Sequence, residues 1–151
     1  MSLQQALTFT LCEEGGYVAN PSDGGGATCH GVTQRTYDTY RQAKNVSSQS
    51  VADIQDQEVR DIYRHMYWEP AGCDELPAGL DVCHFDWAVN HGVAGAKTTL
   101  QQAAGDWRTY NQLRRTWYRA RVQSRPDQEV FLKGWLGRVD RLDAYVEGLK
   151  R

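Results

Sequence analysis

One glycine-rich excursion, from Gly15 to Thr33, interrupts a chain that otherwise reads as helix, and nothing else in the sequence restricts the fold as much. Upstream of it, Leu3, Leu7 and Leu11 fall at helical spacing with Ala6 and Thr10 beside them, which predicts a first helix from about Ser2 to Glu14. Gly15-Gly16 then stops it. The run Asn20-Pro21-Ser22-Asp23-Gly24-Gly25-Gly26 has short apolar or β-branched pieces on either side, so a small hairpin or an ordered loop suits it better than a helix.

Downstream the helical period returns. Ser50 followed three residues later by Asp53 gives a capping-box-like start, and Val51, Ile54, Val59, Ile62, Tyr63 and Met66 continue it. A further helix ends near Trp68-Glu69-Pro70. After the turn containing Gly72 and Pro77-Ala78-Gly79, the residues Leu80, Cys83, Trp87 and Val93 or Ala94 mark a helix whose stripe also carries Asp86 and Asn90. Residues 96–104 make a short helix and residues 107–123 another. Pro126 opens a last one bearing Phe131, Trp135, Val139, Leu142 and Val146. No repeat, low-complexity stretch or linker divides the chain, so 1–151 is expected to form a single, mainly α domain. With 151 residues, 40% of them hydrophobic, it can bury a core without metal or disulfide staples.

The net charge of -2 argues against a dedicated nucleic-acid binder. The charge is unevenly spread: residues 1–105 carry 6 Lys/Arg and 13 Asp/Glu, residues 106–151 carry 11 and 6. With Trp107, Tyr110, Trp117 and Tyr118 interleaved, the basic segment suits either attraction of an anionic polymer or an amphipathic helix with a solvated arginine face. No apolar run is long enough for a membrane span, and Met1-Ser2-Leu3-Gln4-Gln5 lacks the basic and apolar regions of an ordinary secretory signal. Cys12, Cys29, Cys73 and Cys83 fit free thiols or one or two disulfides. Without Cys-x-x-Cys or His-Glu-x-x-His, the pairs Cys29-His30 and Cys83-His84 do not make a zinc site, and no metal or cofactor is expected.

Glu14 is the most informative residue. Four-residue steps from Leu3 through Leu7 and Leu11 bring it close to the inward stripe of the first helix, while Glu13 points elsewhere. The negative end of the helix dipole and partial burial both favour a protonated carboxyl there, which is what a general acid needs to protonate a glycosidic oxygen. Glycoside hydrolysis usually needs a second carboxylate across the scissile bond, and Asp23 in the glycine-rich segment is the candidate. Thr28 follows, with a hydroxyl able to position a water. Asp23-Gly24 equally suits an Asx-type turn, and Thr28 a plain strand residue.

The order Glu14, Asp23, Thr28 resembles the Glu, Asp, Thr sequence of phage-type lysozymes. A closer resemblance is to glycoside hydrolase family 108, the bacterial and phage N-acetylmuramidases. It is carried by Glu14-Gly15-Gly16-Tyr17-Val18, Asn20-Pro21, Asp23, Gly24-Gly25-Gly26, Thr28 and Gly31-Val32-Thr33. It continues through Ile62-Tyr63, Tyr67-Trp68, Asp74 to Asp81, Phe85-Asp86-Trp87-Ala88-Val89-Asn90-His91-Gly92 and the closing Gly134-Trp135-Leu136. The Asp-Gly-x-x-Gly-Pro turn common in that family is absent, so 106–151 reads as a shortened C-terminal helical region.

The resemblance implies a lysozyme-like helical fold and a peptidoglycan hydrolase with Glu14 as catalytic acid. Its partners would be glycan strands, with neither nucleic acid nor membrane insertion. It implies a monomer made in the cytoplasm without a signal peptide and acting on the wall in the periplasm or outside, as a phage endolysin released through a holin or as a secreted effector with an immunity protein. Tyr17, Asn20, Tyr67, Trp68, Asp86 and Asn90 are candidate cleft residues, because aromatic faces stack on pyranose rings and amides or carboxylates bind their substituents. Trp68 equally suits a core position, and Asp86 with Asn90 a hydrogen bond to a helix end or turn. A wall-binding adaptor without turnover and a zinc peptidase are the competing functions.

Overall fold

The computed structural model describes residues 1–15 and 28–151. Helix α1 spans Leu3–Glu14, followed by an antiparallel pair, β1 (Thr28–Cys29) and β2 (Val32–Thr33). Six longer helices follow: α2 Gln34–Ala43, α3 Asp56–Tyr63, α5 Leu80–His91, α6 Val93–Gln102, α7 Trp107–Ser124 and α8 Glu129–Leu149. A π turn at Arg64–Trp68 and the single turn α4, Glu69–Ala71, lie between α3 and α5. A mainly helical chain with a small hairpin or ordered loop after the first helix is the expectation, and among the described residues the chain is mainly helical with a small hairpin there. Contacts sort it into two compact units, 10–66 and 1–9 with 67–151, which the sequence, read as one domain, does not distinguish.

In the smaller unit, α2 begins where Thr33 Oγ1 accepts from the Thr36 amide at 3.1 Å, an N-cap that meets one of the helix's unpaired donors. Gln34 then ties α2 to the turn after it: its Nε2 donates to Gln49 O at 2.9 Å and its Oε1 accepts from Val51 N at 2.7 Å. The helix expected from Ser50 does not start there. Ser50 caps only a 3-10 turn, Val51–Asp53, and α3 starts at Asp56 behind Gln55. Val32, Tyr37, Val51, Val59, Ile62 and Tyr63 form the core of this unit.

The larger unit is organised around α5, in which every residue from Leu80 to Ala88 is buried. A helix enclosed on all sides must satisfy each polar group it carries. Asp81 Oδ1 accepts from the Gly79 and Val82 amides at 2.8 and 2.9 Å. His84 Nε2 meets Ala71 O at 3.1 Å and its Nδ1 meets Tyr110 Oη at 2.8 Å. Asp86 accepts from Arg114 of α7 at 3.0 Å and from Arg138 of α8 at 2.8 Å.

The basic segment is thus partly structural: Arg114 lies wholly in the core, and Arg115 reaches Asp140 and Asp143 of α8 at 2.6 Å each. Its aromatic residues divide likewise, with Trp107, Tyr110 and Tyr118 buried and Trp117 exposed. All four cysteines are free thiols, Cys12 exposed and the others buried. Burial pushes the Cys73 and Cys83 thiols up to about 12, so neither is a nucleophile near neutral pH. Among the described residues no helix is long and apolar enough to cross a membrane.

Candidate active site

Glu14 is the last residue of α1 and is half-buried. Gly15 follows with φ +76°, the left-handed conformation that turns the chain off the helix while its amide still donates to Leu11 O at 3.1 Å. The sequence fixes this position through the leucine stripe and the glycine stop.

The hairpin supplies the second part. Thr28 pairs with Thr33 and Cys29 with Val32, which leaves His30 and Gly31 as a two-residue turn with φ +52° and +74°. Two successive left-handed residues are the signature of a type I′ turn, whose twist suits a tight hairpin. Buried Cys29 and Val32 anchor it. Tyr63, the last residue of α3 and itself buried, donates from Oη to the His30 carbonyl at 2.6 Å.

These parts converge at Gly31. A Cβ built there would lie 2.7 Å from Tyr63 Oη, 3.3 Å from Glu14 Oε2 and 3.4 Å from Glu14 Cβ. The turn backbone at Gly31 thus lies close against both the phenol and the Glu14 side chain, and only glycine fits there. Tyr63 is the residue that reading for chemistry passed over: its place on the α3 stripe marks it as core, and its hydroxyl is the part that reaches the site.

The other sequence candidates fare differently. Tyr17, Asn20 and Asp23 lie outside the described residues, and of Thr28 the backbone pairing with Thr33 is what the structure describes. Tyr67 is half-buried within the π turn. Trp68 is 1% exposed, donates from Nε1 to Asp74 Oδ1 at 2.7 Å and packs tilted on Phe85, so it is a core residue with no face to offer a sugar. Asp86, 0% exposed and held between two arginines, is likewise structural. Burial alone would raise its carboxyl, but Arg114 and Arg138 reverse that and hold it below the usual carboxylate range. Asn90, one turn further along α5, is exposed, and its Nδ2 donates to Tyr118 Oη at 2.6 Å.

The family model described as glycosyl hydrolase 108 matches residues 7–92, more than half of the chain. This chain belongs to the glycosyl hydrolase 108 family. Among solved structures it is similar to that of Brucella abortus SagA, with 29% identity and a TM-score of 0.69 over 99% of this chain and 95% of that one. A search of curated protein sequences finds no match. The fold is lysozyme-like, and family membership makes the chain a glycoside hydrolase of the peptidoglycan-degrading kind. The matched span holds Glu14, the hairpin, Tyr63 and Asn90, and ends as α6 begins.

Proposed function

We propose that the protein is an N-acetylmuramidase that cleaves the β-1,4 bond between N-acetylmuramic acid and N-acetylglucosamine, with Glu14 as its general acid. The observation that carries this reading is the convergence of the Glu14 carboxylate with the His30-Gly31 turn and the Tyr63 hydroxyl. A carboxyl group fixed at the end of a helix by a close-packed turn holds one geometry toward a bound sugar, as protonation of a leaving oxygen requires.

In this reading Asp23 is the second carboxylate, which stabilises the oxocarbenium-like transition state or activates the water that Thr28 orients. Tyr17, Asn20, Tyr67 and Asn90 contact the glycan. The enzyme acts on the wall in the periplasm or outside the cell, as a phage lysin or a secreted antibacterial effector. It works as a monomer, with a holin or an immunity protein as its associated partner.

The test is reducing-end release from purified Gram-negative sacculi, with mass spectrometry of the soluble muropeptides, for wild type and for Glu14→Gln matched by circular dichroism. Products ending in reducing N-acetylmuramic acid from the wild type alone are expected. Equal release by both proteins would remove Glu14 as the acid, reducing N-acetylglucosamine ends would change the bond assigned, and sacculus binding without release would make the chain an adaptor.

A further inference from the structure

On the smaller unit, α2 and the end of α3 enclose a groove of about 500 Å³. Its α2 wall is one helical face, made of Arg35, Thr36, Thr39, Tyr40 and Ala43. The other wall is Ile62 of α3 with His65 and Met66 of the π turn, three and four residues further on. Tyr63, next to Ile62, reaches the His30 carbonyl instead, so the groove and the turn beside Glu14 use different faces of the same stretch.

The hydroxyls on the α2 wall are already bonded within the unit. Thr33 Oγ1 donates to Thr36 Oγ1 at 3.0 Å, Thr39 Oγ1 donates to Arg35 O at 3.0 Å, and Tyr40 Oη donates to Asp61 Oδ2 at 2.9 Å. The wall backbones are helical and satisfy themselves, so an extended peptide finds no strand edge to pair with. What the groove offers is apolar surface. Ile62 is buried, whereas Met66 is 44% exposed, a flexible thioether that can adapt to the side chains of another molecule.

Charge and size select the occupant. Arg35 is exposed, and its guanidinium makes no hydrogen bond or ion pair among the described residues. Just past the other end of α2, the Lys44 ammonium stands 5.1 Å over the Tyr40 ring and shares its charge with Asp61 at 3.4 Å. The two cationic positions are about 13 Å apart along the helix, and no Asp or Glu is among the described residues that line the groove between them. From position 35 to 43 the groove runs about 12 Å, so its volume gives it a width of about 6 Å. A single acyl chain, about 4 Å thick at carbon contact distance, would leave it part-empty. Two turns of an incoming helix, with apolar side chains one turn apart, would fill it and need no backbone partner.

We infer that the groove between α2 and α3 docks one acidic, amphipathic helix of a protein partner, with its apolar stripe against Tyr40, Ala43 and Met66 and its flanking carboxylates meeting Arg35 and Lys44. None of the groove residues is among those assigned to the glycan, so the inference stands apart from the muramidase reading.

The chain has two methionines, Met1 and Met66, so ¹³C-methyl labelling of methionine in the full chain gives one reporter in the groove and one outside it. The probe is a capped helical peptide of about 16 residues with Leu at i, i+3, i+4 and i+7, Glu flanking that stripe at both ends, and Ala and Gln elsewhere. Its twin carries Lys in place of each Glu. A saturable shift of the Met66 methyl with the Glu peptide is expected, with Met1 unmoved and the Lys twin bound about tenfold more weakly. Arg35→Glu, at an exposed position with no partner to lose, should weaken the Glu peptide about tenfold and strengthen the Lys twin. Ala43→Trp, also at an exposed position, should fill the groove and weaken both. No saturable Met66 shift with either peptide overturns the inference, as does equal binding of the two peptides or unchanged affinity in Ala43→Trp. A Met66 shift that grows with protein concentration alone would make the occupant a second copy, and one produced by dodecanoate at lower concentration than the peptide would make it an acyl chain; either result overturns the helix.

Discussion

Gly31 stands at φ +74° with no space for a side chain, so Gly31→Ala introduces two faults at once. The left-handed backbone costs about 1–3 kcal/mol for a residue with a Cβ, and the added methyl pushes apart Tyr63 Oη and the Glu14 carboxylate. Because a displacement near 1 Å can cost about 100-fold in rate, turnover on sacculi should fall by that order while most of the protein stays folded. A variant as active as wild type would show that this contact has no bearing on catalysis. Tyr63→Phe is the milder probe, keeping the ring and removing the donor to His30 O. A cost of about 1 kcal/mol in a urea titration is expected. Lower kcat with KM nearly unchanged would follow if the hydroxyl positions the turn for chemistry, whereas an unchanged kcat would leave it a stabilising contact only.

The helices of the larger unit are joined through charge as well as apolar packing. Asp86 on α5 is reached by Arg114 of α7 and Arg138 of α8, and Arg115 and Asn111 of α7 reach α8 through Asp140 and Asp143. Removing the shared acceptor leaves Arg114 in the core without its counter-charge, so Asp86→Ala should cost about 3–5 kcal/mol, read as a lower urea midpoint. Since the folded carboxyl titrates below its ordinary value of 3.8, the stabilisation is present above that pH and is lost as pH falls through the lower, folded value. A loss under about 1 kcal/mol would show that the triad is replaceable.

At this same scale the limits of reading the sequence become physical. Helix α5 was legible from Leu80, Cys83 and Trp87, but its polar stripe Asp86 and Asn90 looked like one face toward a ligand. Periodicity says which residues share a face and not what covers that face, and Arg114 and Arg138, far along the chain, cover Asp86. Helix α2 went unread because Tyr37, Tyr40 and Ala43 stand among polar residues without an aliphatic stripe, although Thr33 and Thr36 carried its N-cap. Glu14 and the hairpin turn were legible because local chemistry fixes both, by a leucine stripe, a glycine stop and a glycine that a left-handed turn demands.

Over the whole molecule, acid sensitivity near neutral pH should come from buried imidazole. His84 has no exposed surface, and its two ring nitrogens are both committed. The Ala71 carbonyl can only accept, so Nε2 carries the proton and Nδ1 is left as the acceptor for Tyr110. Protonation would place a charge in the core and convert that acceptor into a donor, and burial accordingly lowers the His84 pKa. His91 shifts the same way, from burial first and then from Arg114 and Arg121. Below the ordinary value of 6.5 the unfolded chain therefore binds more protons than the folded one. Unfolding free energy should fall as pH drops through 6.5 toward the folded values, by up to about 1.4 kcal/mol for each unit of depression at each ring. Urea midpoints at pH 8, 6.5 and 5.5 measure this slope. His84→Gln removes the titrating group, so its midpoints should change distinctly less across that range even where its stability at pH 8 is lower. An equal slope in wild type and variant would place the acid sensitivity elsewhere than in this core.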